Sequence, residues 1–155
     1  MSRAELRRGA RLSVVQALYE MEIGGRGVIE AMAEFEAFWI GKEVEDIELP
    51  KAEIAFFRDL LGGVVREQRL VDRSVDDVLA AGWPLKRVEA VVRAILRGGA
   101  YELAFRKDVP ARAVISEYVA VARAFYEGEE IGMINAVLDK LARDFRADEF
   151  DTPDA

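Results

Sequence analysis

Apolar residues recur at spacings of three and four along nearly the whole chain, and that period constrains the fold more than any other feature. Leu6, Ala10, Val14, Ala17, Leu18 and Met21 form one such stripe. Ser2 and, three residues on, Glu5 open it as a capping box, in which each side chain satisfies an orphan backbone donor. Gly24-Gly25-Arg26-Gly27 stops this first helix. A second is expected over about 28–40, with Ala31, Phe35 and Phe38 or their neighbours turned inward and Gly41 at its end. Residues 42–50 read as an acidic loop, and Pro50 suits the first turn of a third helix. That helix presents Ile54, Phe57, Leu61, Val64 and Val65 and runs to about Val71, where Asp72-Arg73-Ser74 punctuates it.

A short fourth helix covers Val75 to Ala81, ahead of Gly82-Trp83-Pro84. The fifth begins near Leu85 and carries Val88, Val91, Val92, Ile95 and Leu96 on through Tyr101 and Leu103. Gly98-Gly99 inside it costs about 1 kcal/mol per glycine relative to alanine, which predicts a kink or a close helix contact there. After Asp108-Val109-Pro110 a sixth helix presents Val114, Ile115, Tyr118, Val119, Ala122 and Phe125. Gly128 and Glu129-Glu130 lead into a seventh with Ile134, Val137, Leu138 and Leu141. No alternating run bounded by turn signals reads as a strand. The expectation is one all-α domain of about seven helices over residues 1–143, followed by a frayed acidic tail, 144–155.

Residue types that are missing narrow the chemistry. The chain of 155 residues has no cysteine and no histidine, and its serines and threonines are Ser2, Ser13, Ser74, Ser116 and Thr152 alone. There is thus no thiolate, no imidazole base and no cysteine–histidine metal set. Gly62-Gly63 and Gly98-Gly99 lack both the Lys-Ser/Thr of a phosphate loop and the spacing of a dinucleotide site. No catalytic constellation and no cofactor or metal site is expected, and the carboxylates read as solvated helix faces. No signal peptide and no membrane-spanning run is evident, so a soluble cytoplasmic protein is expected.

Charge is unevenly placed. The formal net charge is −7, yet Arg3, Arg7, Arg8 and Arg11 stand against Glu5 alone in the first twelve residues. A basic head on an acidic body is the arrangement expected where one surface meets phosphate. At about 100° per residue, Arg8 and Tyr19 fall within roughly 20° of each other on the first helix. Arg11, Leu12, Val15 and Gln16 fill the neighbouring azimuths, away from the apolar stripe, with Arg7 at its border. Guanidinium groups, an amide and a phenol on one outward face are the ingredients of a single-stranded RNA site. A structural role competes with this. Tyr19 also fits a half-buried ring with its hydroxyl at the surface, and Leu12 and Val15 fit packing against another helix or another protein. A helical protein–protein scaffold or oligomerisation module without direct RNA binding is the alternative function, and a homodimer is compatible with either reading.

The segment Arg7-Arg8-Gly9-Ala10-Arg11-Leu12-Ser13-Val14-Val15-Gln16-Ala17-Leu18-Tyr19 resembles the opening of the NusB family of transcription antitermination factors. Phe57-Arg58-Asp59-Leu60-Leu61-Gly62-Gly63-Val64 is similar to the family's third-helix segment. So are Ala94-Ile95-Leu96-Arg97 with Ala100-Tyr101-Glu102-Leu103, Val109-Pro110 through Ile115-Ser116-Glu117, and Asn135-Ala136-Val137-Leu138-Asp139-Lys140 to later family blocks. The resemblance spans about residues 3–143. It implies two helical bundles packed on one another and no enzymatic activity. It further implies pairing with NusE, a small-subunit ribosomal protein, on boxA RNA. Other Nus factors and RNA polymerase join, so that ribosomal RNA operons are read through. The stand-alone factor is expected rather than the related methyltransferase fusions, for which no room remains.

By resemblance Arg7, Arg8, Arg11, Gln16 and Tyr19 take the RNA-binding role, with Arg123 of the sixth helix as a further candidate. The fourth and fifth helices are implied for NusE. Gly9 departs from the family's run of arginines, which lowers the local charge and suggests a looser helix start. The acidic loop 127–130, with Met133 in place of an aromatic, is not expected to touch RNA. Asn135 and Asp139 read as a hydrogen-bonding pair rather than a site.

Overall fold

The structure, a computed structural model, describes residues 1–44, 47–79 and 88–150. It divides into two compact units, Met1–Arg66 and Glu67–Ala155. In the first, helix α1 (Arg3–Gly24) starts where Ser2 Oγ accepts from the Glu5 N–H at 3.1 Å and donates to the Glu5 carboxylate at 3.2 Å. It ends where Gly25 adopts φ +68° and its N–H donates to the Met21 carbonyl, a conformation that costs glycine no Cβ clash.

Helix α2 (Val28–Glu34) runs into a π-helical turn, Phe35–Trp39, in which the Ile40 N–H donates to the Phe35 carbonyl. The wider turn changes the face beyond it. Ala31 and Phe35 are buried as expected, but Phe38 is 65% exposed. Trp39 instead lies beside Phe35, with ring centroids 6.1 Å apart, and Phe35 stacks on Phe57 at 6.2 Å.

The stretch expected as an acidic loop carries a minimal antiparallel pair, β1 (Glu43–Val44) and β2 (Ile47–Glu48), with Glu43 opposite Glu48. Pro50 does not open the third helix. It lies ahead of α3 (Ile54–Arg66), in a segment whose Glu53 N–H donates to the Leu6 carbonyl of α1. Phe56, Phe57, Leu60, Leu61 and Val64 of α3 are buried, and α3 packs on α1 and α2.

In the second unit the break between helices falls at Glu67, not at Asp72-Arg73-Ser74, and α4 spans Gln68–Val78. The polar triplet stays helical because the side chains of Asp72 and Ser74 are satisfied there. Ser74 Oγ donates back to the Leu70 carbonyl at 2.7 Å, and Asp72 accepts two bonds from Arg97 at 2.8 and 2.9 Å. Gly82-Trp83-Pro84 and the expected helix start at Leu85 lie outside the described residues.

Helix α5 (Ala90–Phe105) packs against α4, α6 (Ala111–Arg123) and α7 (Glu129–Phe145). Its two glycines make the close contact expected of them: a Cβ at Gly98 would stand 2.9 Å from the Tyr118 ring, and one at Gly99 2.7 Å from Leu138. Phe125 lies beyond the end of α6 and is 38% exposed, although the period set it on the buried face.

The stretch after Asp144 is not frayed as far as Phe150. Helix α7 continues to Phe145, and α8 (Ala147–Phe150) follows. Arg146 between them is buried and donates to the carbonyls of Glu102, Leu103, Arg106 and Val109 and to the Glu149 carboxylate. Glu149 in turn accepts from the Ala111 N–H at 2.9 Å. One guanidinium therefore satisfies carbonyls at and beyond the end of α5, while its carboxylate partner satisfies a donor at the start of α6.

Candidate nucleic-acid interface

Gly9, Ala10, Arg11, Ser13, Val14, Val15, Ala17 and Leu18 are buried on α1. At 100° per residue they cover about two-thirds of the helix circumference. The strip left over carries Arg8, Leu12, Gln16 and Tyr19 at offsets of four, eight and eleven residues. Arg8 is exposed and the other three are half-buried. Gln16 Nε2 donates to the Glu20 carboxylate at 3.3 Å. A strand lying along this strip would meet a guanidinium at one end and a phenol ring about three turns away.

Arg11 and Val15 were expected on that outward side and are not there: Arg11 is 3% exposed and Val15 fully buried. Arg7 and Arg11, one turn apart, both lie over the buried Phe56 ring of α3, at 4.4 and 5.0 Å from its centroid. Their stems pack on apolar surface while the cationic heads meet the ring's negative face. Arg7 is also 3.3 Å from Glu53 Oε2, which stands 3.5 Å from Arg3 as well. The head of the helix is thus partly balanced by a carboxylate from the start of α3. Glu53 and Phe56 escaped sequence reasoning because they act through their position beneath α1, 46 residues from Arg7 in the case of Glu53.

Gly9 marks how that position arises. A Cβ there would stand 2.1 Å from the Lys51 carbonyl oxygen, so the bare backbone of α1 admits the segment that delivers Glu53. This corrects the expectation of a loosened helix start. The glycine is a contact point.

In the second unit Arg123 is exposed on the last turn of α6, a placement favoured by the helix dipole. The acidic residues read as a loop are helical instead: Glu129 and Glu130 form the first turn of α7. Together with Glu89 they rim a 420 Å³ cleft lined by Leu79, Val88, Val92 and Met133. Burial, then the carboxylates of Glu89 and Glu130, hold the pKa of Tyr126 well above that of an ordinary phenol. Among the described residues no cluster of acidic side chains is arranged to hold a metal ion, and no helix is long and apolar enough to cross a membrane.

The NusB family model matches residues 8–143. The transcription antitermination protein NusB of Rhodopseudomonas palustris (strain TIE-1) is 61% identical over 148 residues, which cover 96% of this chain and 85% of that protein. Its counterpart from Bradyrhizobium diazoefficiens is 59% identical over 149 residues, covering 96% and 90% of the two chains. Among solved structures, T. maritima NusB superposes with a TM-score of 0.76 at 24% identity, covering 94% of this chain and 97% of that one. A crystal structure of the antitermination factors NusB and NusE in complex with dsRNA gives 0.75 at 22% identity, covering 91% and 98%. The family model and these relatives of about 60% identity agree, and the chain belongs to the NusB family of transcription antitermination factors.

Proposed function

We propose that this chain acts without catalysis, binding single-stranded boxA-type RNA together with NusE. In a complex with other Nus factors and RNA polymerase it promotes read-through of ribosomal RNA operons. The observation that carries this reading is the α1 strip, on which exposed Arg8 shares one face with Gln16 and Tyr19. Arg8 supplies phosphate contact, Tyr19 a base platform worth about 1–3 kcal/mol, and Gln16 a hydrogen-bonding edge. Arg7 and Arg11 act from the side of the strip, held over Phe56. Arg123 adds a cation from the second unit. The cleft rimmed by Glu89, Glu129 and Glu130 suits NusE, since an apolar floor with an acidic rim complements a basic ribosomal protein.

The test is a salt titration of binding to a short boxA-like strand, with and without NusE. Each phosphate contact contributes about −0.7 to the slope of log K against log salt. Arg8→Ala is expected to lower the slope by about that amount and leave the melting temperature unchanged. Arg11→Ala is expected to lose about 1–2 kcal/mol of stability as well, because its desolvated cation–π contact disappears. Equal melting temperatures for the two variants would show that burial of Arg11 does not hold the fold. A flat slope for the unaltered protein with NusE present would remove RNA from the reading.

Glu53→Gln provides a second check. Removing the carboxylate frees Arg3 and Arg7 from an internal competitor for phosphate. RNA affinity is expected to rise about 1.4- to fivefold, matching the roughly 0.2–1 kcal/mol of a partly exposed ion pair. Unchanged affinity would place Arg3 and Arg7 away from the strand.

The scaffold or homodimer alternative is favoured by one feature, the exposed apolar side chains Ile23, Ile29 and Phe38 of the first unit. Gel filtration across a concentration series, with and without RNA, separates it from the RNA-binding reading.

A further inference from the structure

Several arginines of this acidic protein meet a carboxylate. Arg3 and Arg7 share Glu53, and Arg26, Arg58, Arg97, Arg106, Arg143 and Arg146 each have an acidic partner. Arg112 and Arg123 have none among the described residues, and both line one groove of 370 Å³. The groove runs between α6 and α7. Arg112, Ser116 and Arg123 lie along the α6 wall, Asn135 and Asp139 along the α7 wall, and Phe150 of α8 closes one end. Asp139 accepts from Arg143 at 2.9 Å, so the one carboxylate in the lining is already engaged.

Phe150 is not a free stacking platform. Arg112 and Arg143 both lie over its ring, at 5.3 and 4.8 Å from the centroid. An arginine held flat on an aromatic ring keeps its N–H edge available for an anion. Ser116 and Asn135 are exposed and add neutral donors between the cations. Arg112 and Arg123 are eleven residues apart, about 16 Å along the helix. That span is too long for one phosphate ion to bridge and suits an extended polyanion.

We propose that the α6–α7 groove binds the phosphodiester backbone of single-stranded RNA, at a segment other than the one read by the α1 strip. This rests on the RNA-binding reading above and deepens it, giving Arg123 a site together with Arg112, Ser116 and Asn135. Charge complementarity selects the occupant: the groove brings together two arginines with no carboxylate partner among the described residues, on a molecule whose net charge is −7. Contacts to backbone phosphates carry no sequence information, so this site adds affinity for flanking RNA rather than choice of sequence.

The experiment compares the unaltered full chain, Arg112→Gln/Arg123→Gln, Arg112→Lys/Arg123→Lys and Arg8→Ala. Each is titrated with salt against a boxA-like strand bearing a long single-stranded flank, in the presence of NusE. The Gln pair is expected to lower the salt slope by about 1.4, two phosphate contacts, with no change in melting temperature. The Lys pair, which keeps both charges, is expected to restore most of that slope. Inorganic phosphate alone is expected to compete weakly, and an acidic polyglutamate peptide not to displace the strand. Unchanged slope and affinity in the Gln pair, while Arg8→Ala weakens binding, would overturn this site together with the RNA role of Arg123 and leave the α1 strip as the RNA site. Polyglutamate binding that the Gln pair abolishes, with no effect of that pair on RNA, would assign the groove to an acidic protein instead. Failure of the unaltered protein to bind any strand would remove both.

Discussion

Arg146→Ala is expected to remove about 3–5 kcal/mol of stability, the cost of breaking a buried, fully bonded ionic group. Arg146 is 1% exposed and makes five hydrogen bonds, four of them to carbonyls near the end of α5 and in the loop after it. Alanine would leave those acceptors without their donor, and buried acceptors each cost about 1–3 kcal/mol when unsatisfied. Arg146→Lys is expected to recover only part of the loss, since an ammonium has fewer donors and lacks the planar fork. Urea unfolding measures both. A loss below about 1 kcal/mol for the alanine variant would mean that water replaces the guanidinium at little cost.

The same latch gives the protein an acid-sensitive element. The backbone N–H of Ala111 and then the Arg146 guanidinium hold the Glu149 pKa below the usual carboxylate range. A depressed folded-state pKa contributes stability at pH values above the unfolded value, about 4.3, and loses it as the pH falls through the folded value. Glu149→Gln is therefore expected to flatten the fall in stability below that pH. An acid-unfolding curve that keeps its slope in this variant would assign the acid response to other carboxylates.

Gly9→Ala is expected to be the most damaging single-methyl addition in the first unit. The added Cβ would stand 2.1 Å from a backbone oxygen of Lys51 and 3.1 Å from its carbonyl carbon, so the segment itself must move. Overpacking against backbone costs about 1–3 kcal/mol, and this contact belongs at the upper end. The displacement also carries Glu53 away from Arg3 and Arg7. A fall in melting temperature should thus accompany a rise in RNA affinity per folded molecule. Gly98→Ala and Gly99→Ala meet the buried side chains of Tyr118 and Leu138 rather than backbone, at 2.9 and 2.7 Å, so a smaller loss is expected from each. A Gly9→Ala protein as stable as the unaltered chain would show that the 50–53 segment floats on α1.

Much of the helical architecture was legible because a 3.6-residue period writes itself into the order of apolar residues. The capping box at Ser2, the stop at Gly25 and the close contact at Gly98-Gly99 follow from local chemistry alone. The errors fall where tertiary partners override local signals. Asp72-Arg73-Ser74 reads as punctuation until Arg97 is known to hold Asp72. Asp144 onward reads as a frayed tail until the carbonyls at the end of α5 are known to need Arg146. The π-turn at Phe35–Trp39 leaves no period of its own, and it exposes Phe38.

The site divides the same way. Arg8 and Tyr19 share a strip because they share an azimuth, and azimuth depends only on residue number within a helix. Arg11 lies close to them in azimuth and is buried, because Phe56 comes from a different helix and claims that side.

By itself, then, the order of residues determined where helices run, which of their faces are apolar and where the cations gather. Only the packed chain decided which cations stay open to solvent and which are spent on Glu53, Phe56 or carbonyl groups. The reason is physical: helical period is a short-range property of the backbone. Exposure and charge pairing are set by side chains that arrive from tens of residues away.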